Sequence, residues 1–526
     1  MRKIFTCVLF FAIFANISRA QQIYQPYSFM FYQKLSRDFY SPATSLHTAL
    51  KPYIISDSSS LKPGYDSIMN RTVDTSRKSW VARKLFNEHL FDVRQPDFTF
   101  YADYLPDLLI GKEFVDGNSL WLNTRGYQAG GTIGTKFFYY TSGFENQGHF
   151  PNYINNYVTA TGMVPGQAYD FHSGQYATKD WLYVTTLLGY APSQSISIEA
   201  GVDKTFIGDG YRSMLLSDFA SNYPLLRVKF DLGKRVQYMA MWAYLEDQDA
   251  IKFGSTANHA PNRAKWAAFH YIDWNITKRA SLGFFNALIA PDAYDDGSRH
   301  GFDINYINPI LFVKSIAPSG PIPDNTFIGF NGKYKVLNKT IIYAQILFDQ
   351  SAGSNSKNGY QLGLRGSDLF KINSFNYLFE FNTARPYTYS NQYPLVNYTE
   401  LDEPLAHPFG ANFKEVLGVL NYSIGRFDFE GQLNYAKYGL DVNNINYGKN
   451  ISSPDITEAG GNTGQGLSTS FKYAQGKISL LINPKYNLRL EAGAVLRQER
   501  NAQMDQKTAL ITFGLRSTFR DLYSDF

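Results

Sequence analysis

Ser213 and Ser217 stand near the carboxylates of Asp209 and Asp218, and hydroxyls beside acids are raw material for a nucleophilic hydrolase. A serine nucleophile also needs a base to take its proton. Neither a G-x-S-x-G elbow nor a histidine-bearing motif accompanies these residues. The eight histidines are scattered, with no H-E-x-x-H or comparable ligand spacing, so the pattern offers no metal site. Asp295-Asp296 are adjacent in a glycine-containing loop and read as solvated turn residues; a glycosidase pair is defined by spacing in three dimensions. Val202-Asp203-Lys204 with Gly208 and Gly210 lacks the strand, glycine-rich turn and helix of a phosphate loop. The expectation is a chain with no catalytic, cofactor-binding or metal site.

Two segments are candidates for contact rather than catalysis. In Gly208–Asp218 the glycines permit tight backbone turns, and Tyr211 and Arg212 can point into an enclosed lumen and pair with Asp209 or Asp218. These four residues read as an internal clamp that fixes a folded-in loop, with ligand contact near a pore mouth as the other reading. Arg385-Pro386-Tyr387-Thr388-Tyr389 and Pro404–Pro408, which carries His407, form a ring-rich loop. Tyrosine faces can stack on sugars while their hydroxyls hydrogen-bond, and they can equally pack on one another. Arg385, Tyr387, Tyr389 and His407 are therefore the surface-loop candidates for a glycan or protein partner.

Elements must position these residues, and a period of two supplies them. In Arg426–Tyr438 the residues Arg426, Asp428, Glu430, Gln432 and Asn434 alternate with Phe427, Phe429, Gly431, Leu433 and Tyr435. In Tyr486–Arg497, Leu488, Leu490, Ala492, Ala494 and Leu496 alternate with Arg489, Glu491, Gly493, Val495 and Arg497. Pro224–Leu232 sets Leu226, Val228 and Phe230 against Arg227, Lys229 and Asp231. Ala509, Ile511, Phe513, Leu515 and Phe519 alternate with Thr508, Thr512, Arg516 and Thr518. Each reads as a strand with one oily and one polar face. The runs last ~9–12 residues, the length of a tilted membrane strand rather than of a sandwich strand.

Connections separate the two architectures. Short turns are expected at Leu232-Gly233-Lys234, Leu337-Asn338-Lys339, Ile424-Gly425-Arg426, Gln475-Gly476-Lys477 and Asn483-Pro484-Lys485. Long polar stretches alternate with them at Glu246–Arg263, Asp349–Asn358, Thr383–Asn412, Leu440–Gln465 and Gln498–Gln506. Short turns on one side and long loops on the other are the asymmetry of an outer-membrane barrel. The expected fold is all-β, a transmembrane antiparallel β-barrel of about eighteen strands between Asn118 and Phe519. His270, between Phe269 and Tyr271, reads as a lumen residue of that barrel.

Composition agrees. The chain has 526 residues, 39 Tyr, 41 Phe and one Cys, and only 18% of it is charged, below the ~25% usual for soluble domains. A net charge of +5 over such a length does not indicate nucleic acid. Arg2 and Lys3, the apolar run Ile4–Ile17 and Ser18-Arg19-Ala20 read as a secretory signal over residues 1–20. The expected division is therefore signal peptide 1–20, periplasmic or plug segment 21–110, and barrel 111–526. Within the plug segment, Ser76–Phe91 places Trp80, Val81, Leu85 and Phe86 at helical spacing opposite basic residues, as a short amphipathic helix capping or plugging the periplasmic mouth.

Five strings occur in a meaningful order: SLHTALKP (Ser45–Pro52), NTRGYQAGGTIG (Asn123–Gly134), GDGYRSMLLSD (Gly208–Asp218), NYINPILF (Asn305–Phe312) and EPLAHPFGANFKE (Glu403–Glu415). Together they resemble the capsule-assembly barrels of the Wzi family, more closely the branch that includes the gliding-motility protein RemB. The resemblance implies an eighteen-stranded barrel in the outer membrane of a Gram-negative bacterium, with a periplasmic helical element. It also implies attachment or organisation of surface polysaccharide and, in the gliding branch, movement over surfaces with adhesion or gliding proteins as partners. The periplasmic helical part is slight here, a departure from the family. Outer-membrane lipid is the expected surroundings, with no cofactor and no enzymatic activity. Three function classes follow: a surface barrel organising glycan or adhesive machinery, a porin or solute transporter, and a hydrolase. Mixed-sign inner faces (Arg426, Asp428, Glu430; Arg489, Glu491) favour the first, because a charge-ring channel would carry one sign.

Overall fold

In the computed structural model, which describes residues 22–57, 59–250, 252–253, 262–308, 324–350, 357–455 and 461–526, eighteen antiparallel strands close into one barrel. The expected signal segment 1–20 and the end of Asn305–Phe312 lie outside the described residues. The strands are β1 (Phe98–Glu113), β2 (Ser119–Ile133), β3 (Phe137–His149), β4 (Thr178–Ser193), β5 (Ile196–Asp203) and β6 (Tyr223–Leu232). They continue as β7 (Val236–Asp247), β8 (Arg263–Asn275), β9 (Ala280–Pro291), β10 (Asn325–Leu337), β11 (Thr340–Asp349) and β12 (Asn358–Gly366). The last six are β13 (Phe375–Ala384), β14 (Phe413–Ile424), β15 (Phe427–Leu440), β16 (Leu467–Asn483), β17 (Leu488–Arg500) and β18 (Asp505–Ser517). The expected boundary at 110/111 falls inside β1, so the wall begins earlier than the alternation suggested. Pro106 and the run Leu108-Leu109-Ile110 blur the period of two there.

Closure joins the first strand to the last, as an apolar barrel wall requires. β18 pairs with the Leu108–Glu113 half of β1, and the short strand Phe91–Gln95 pairs with its Phe98–Ala102 part. The turn at Gly233 joins β6 to β7 and the turn at Gly425 joins β14 to β15, both glycines having positive φ. Gln475-Gly476-Lys477 is not a turn: it lies inside β16, which runs 17 residues. A glycine in a strand can mark an open stretch of wall as well as a bend.

The facing follows the sequence pattern where the lumen is polar. On β15, Asp428 and Asn434 are buried while Phe427, Phe429 and Leu433 are exposed outward; on β6, Arg227 is buried and Leu226 exposed. Strands β7–β9 depart from it, their central parts being apolar on both faces. Their inner residues Met239, Met241, Phe269, Phe285 and Ile289 pack on Met214, Leu215 and Leu216 of a loop inside the barrel. His270 is therefore not a lumen residue. It points outward, and its Nε2 lies 3.2 Å from the Tyr306 carbonyl of a segment folded over the outer wall.

The N-terminal segment fills the short-turn end. Strand Gln22–Gln25 pairs with Tyr53–Ser56, and Leu50–Lys51 pairs with Phe206–Ile207 of the inward loop. Helices α1 (Phe29–Gln33), α2 (Ser36–Phe39) and α3 (Lys62–Met69) accompany them. Phe29, Phe31, Tyr32, Leu35 and Phe39 build a core with Ile341, Tyr343 and Leu378 of the wall. Phe519, expected to continue the outward face of β18, turns inward beyond the strand end and meets Phe31 edge-on at 5.4 Å. The plug is thus more substantial than the sequence indicated. The helix expected over 76–91 is shorter, α4 (Trp80–Phe86), capped by the Ser79 hydroxyl accepting from the Ala82 N–H. It does not plug the mouth: Trp80, Val81 and Leu85 are exposed, and the helix rests on the β16–β17 turn, where Asn483 Nδ2 donates to the Lys84 carbonyl at 2.9 Å. Among the described residues, no helix is long and apolar enough to cross a membrane.

Candidate functional site at the loop-bearing mouth

Residues 204–222, between β5 and β6, enter the lumen instead of rising from it. Gly208 has φ +148°, and a side chain at Gly210 would collide with the Glu380 carboxylate, so the glycines permit the close approach of loop to wall. Asp209 is buried and accepts from the Thr48 hydroxyl at 2.5 Å and from the Tyr40 hydroxyl at 3.3 Å. Burial opposes its ionisation, but Lys333 and Lys51 outweigh that and hold its carboxyl below the usual value. Asp218, also buried, accepts from the Tyr523 hydroxyl at 2.7 Å; burial raises its carboxyl, only partly offset by Lys204.

Tyr211 and Arg212 do not pair with Asp209 or Asp218, as expected from their proximity in sequence. Their partner is the C-terminal stretch 518–526, which follows β18 into the lumen. The Tyr211 hydroxyl donates to Asp525 Oδ2 at 3.0 Å, and Arg212 Nη2 donates to the same carboxylate at 2.9 Å and to Glu415 Oε1 at 3.4 Å. Arg520 donates to Asn146 Oδ1 at 2.6 Å and lies over the Phe144 ring. Phe526 meets Tyr157 edge-on at 4.9 Å. Short-range sequence reasoning could not find these partners, because they lie hundreds of residues away.

The ring-rich loop between β13 and β14 also folds inward, which corrects the surface-loop assignment. Tyr387, Tyr389 and His407 are buried. The Tyr389 hydroxyl donates to the Met214 carbonyl at 2.8 Å, and that of Tyr387 to the Asn446 carbonyl at 2.7 Å. His407 Nε2 lies 2.8 Å from Glu415 Oε2, its ring stacked on Phe413. Arg385, half-buried, donates to the Gly461 carbonyl at 3.4 Å. Tyr389 packs on Phe327 and Tyr398, and His407 on Phe409 and Phe413; buried in this way, these faces are not available to a sugar.

Charged inner faces complete the filling. Asp428 binds Lys34 at 2.8 Å and Arg71 at 2.7 Å, while Glu491 binds Arg489 at 2.9 Å and Arg516 at 3.1 Å. A cavity of about 260 Å³ remains between α1, the C-terminal stretch and β15–β18, lined by Lys34, Glu430, Gln475 and Lys477 among others. Among the described residues, no group of His, Cys, Asp or Glu converges as metal ligands would.

Exposed rings occur instead on the β3–β4 connection, a site missed in the sequence. After helix α5 (Asn152–Thr161) the chain makes a turn bearing Tyr169, Phe171, His172 and Tyr176. Phe171 and Tyr176 are each about three-fifths exposed (62% and 61%). The turn is held from beneath by buried polar groups. Asp170 accepts from the Gly174 N–H and the Asp180 N–H, both at 2.9 Å. Lys179 Nζ donates to the Gly174 and Tyr176 carbonyls at 2.9 and 2.5 Å. His172 and Tyr176 meet edge-on at 4.8 Å. The signal was present as YDFHSGQY (Tyr169–Tyr176), rings interleaved with turn-forming Asp, Ser and Gly.

No family model and no curated protein sequence matches the chain. Solved structures do. Wzi of Escherichia coli, described as an outer-membrane protein involved in group 1 capsule assembly and a carbohydrate-binding β-barrel, superposes with a TM-score of 0.55 at 12% identity over 94% of this chain and 99% of that chain. OprD of Pseudomonas aeruginosa matches with a TM-score of 0.42 at 9% identity, over 79% of this chain and 94% of that chain. OccAB2 of Acinetobacter baumannii matches with 0.42 at 10%, over 79% and 97%. The likeness to Wzi is one of fold: an eighteen-stranded outer-membrane barrel.

Proposed function

We propose that this protein is a closed surface barrel of the outer membrane of a Gram-negative bacterium that binds surface polysaccharide and organises it, or the adhesion and gliding machinery attached to it. The observation that carries this reading is the rigid turn Tyr169–Tyr176, which presents Phe171 and Tyr176 at the loop-bearing mouth. Rings offer sugars an apolar face at little entropic cost when already held in place, and here Asp170 and Lys179 hold the turn. Beneath it the lumen is occupied by residues 22–57, 59–70, 204–222, 385–412 and 518–526, which suits a binding surface better than a conduit. The Wzi-like fold and the order of the five strings support the polysaccharide class, and the gliding branch supports a phenotype in spreading over surfaces.

The test pairs binding with conductance. Purified protein is passed over immobilised acidic and neutral bacterial polysaccharides and compared with the Phe171→Ala/Tyr176→Ala variant. Two stacked rings contribute about 1–3 kcal/mol, so retention should fall roughly five-fold or more. Heat-modifiable migration should stay unchanged. In planar bilayers the wild type should give little conductance; large stable steps would replace this reading with a channel. Equal retention by both proteins would remove the turn from the binding surface.

A further inference from the structure

The outward face of β14–β18 carries a second pattern, unrelated to the mouth. Across these five strands the directly paired residues Gly418, Leu433, Ala474, Leu496 and Ala509 form one row. Small residues on β14, β16 and β18 alternate with leucines on β15 and β17, so the lipid-facing wall is corrugated. The furrow along β16 continues to Gly476, opposite Gly431; an added side-chain carbon at either would meet nothing within 4 Å. A groove of about 760 Å³ lies over this part of the wall.

Each of the strands β14, β16 and β18 carries a lysine toward the loop-bearing end. On β16, Lys472 follows Ala474 outward; on β18, Lys507 follows Ala509; on β14, Lys414 stands beyond Val416. Lys437 on β15 is the direct cross-strand partner of Lys414, and Arg500 ends β17. All five are exposed. Among the described residues, no carboxylate lies within ion-pair distance of Lys414, Lys437 or Lys472. Asp505 is the acid of the patch, 3.7 Å from Lys507 and accepting from Gln498 at 2.6 Å. Like charges directly opposite on one face destabilise a sheet, and a bound anion reverses that sign. The same rim of β7–β13 presents rings instead: Tyr244, Trp266, Phe348, Tyr360 and Phe381. Cations are thus concentrated over the corrugated sector.

We infer that this sector binds a phosphorylated glycolipid of the outer leaflet, its phosphates against Lys414, Lys437 and Lys472 and its acyl chains in the groove over Gly418, Ala474 and Ala509 and along β16 to Gly476. The chemistry is that of an amphiphile: an apolar groove edged at the headgroup level by cations. The site lies on the outside of the wall and is independent of glycan binding at the mouth.

The full-length protein, delipidated in detergent, is titrated with mixed micelles containing bis-phosphorylated lipid A, with dephosphorylated lipid A and with inorganic phosphate, and bound lipid is counted by native mass spectrometry. Phosphorylated lipid A should be retained roughly ten-fold or more better than the dephosphorylated form, and inorganic phosphate should not compete. The K414Q/K437Q/K472Q variant should lose that preference, while R125Q, on the outward face of β2, should keep it. The comparison of the two lipids on wild-type protein needs no variant and stands even if the triple variant fails to assemble. Equal retention of the two lipids, an unchanged preference in a folded triple variant, or full competition by inorganic phosphate would each overturn the assignment.

Discussion

Arg212 of the inward loop and Asp525 of the C-terminal stretch are joined at 2.9 Å across 313 residues of sequence, both side chains almost fully buried. The pair fastens two segments that reach the lumen from opposite ends of the barrel. Glu415 on β14 approaches the same guanidinium, and His407 approaches Glu415, so loop, tail, wall and mouth share one polar network.

Replacing Arg212 by Ala should therefore be costly. It leaves Asp525 and Glu415 buried without their cation, a change of about 3–5 kcal/mol when one partner of a buried pair is removed. The expected outcome is a barrel that still assembles but whose residues 518–526 become accessible to protease. A folded variant with the wild-type cleavage pattern would show that the tail is held by its other contacts.

Facing predicts a contrast between neighbours on β18. Ile511 is exposed outward near the middle of the strand, and Thr512 lines the lumen cavity. Ile511→Arg should cost about 2–4 kcal/mol, because the charge meets lipid, and Thr512→Gln should stay within about 1 kcal/mol. Urea unfolding monitored by heat-modifiable migration in lipid vesicles measures both; equal costs would contradict the facing.

The lumen should be pH-sensitive. Burial, then the neighbouring Asp218, pushes Asp521 up to about 7; the Phe29 N–H and Lys477 only partly offset this, and Glu430 adds to the rise. Burial pushes Glu403 up to about 7 against the Gly166 N–H and Lys204. Between about pH 4 and pH 7 the folded chain then holds protons that the unfolded chain has released. Stability falls as pH rises through that window. Asp209, held low, contributes no change there, and Lys51, lowered to about 7 by burial, adds stability only as pH rises above it. Protease resistance of the tail should thus be greater at about pH 5 than at about pH 7, and Asp521→Asn should flatten the difference. The opposite slope would refute the placement of these carboxyls.

Asp170→Ala tests whether rigidity of the exposed turn matters. The change removes the acceptor of two backbone N–H groups, a loss of about 1–3 kcal/mol confined to the turn. Glycan retention should fall although Phe171 and Tyr176 are intact, while barrel abundance in the membrane fraction is unchanged. Undiminished retention would mean that the rings bind without preorganisation.

The barrel was legible because strand facing is a local property. Successive side chains point to opposite faces, so Phe427 and Asp428, or Leu226 and Arg227, declare their sides without reference to anything distant, and loop length declares the side of the membrane. The same alternation left β1 undetected, where Pro106 and adjacent apolar residues interrupt it, and misread Gln475-Gly476-Lys477, since a glycine between polar residues looks alike in a turn and in an open wall.

What the sequence by itself determined was the class of fold and its span across a membrane. Tertiary structure alone decided what fills the lumen and which rings face out. Tyr387, Tyr389 and His407 have the composition of a sugar-binding loop, yet they are buried because Met214, Leu215 and Glu415 lie within reach. Phe171 and Tyr176, in an equally ordinary stretch, are exposed because Asp170 and Lys179 hold their turn away from the core. Burial of an aromatic ring depends on the apolar surface and hydrogen-bond partners that distant segments bring to it, and in this chain those segments enter the barrel from both ends.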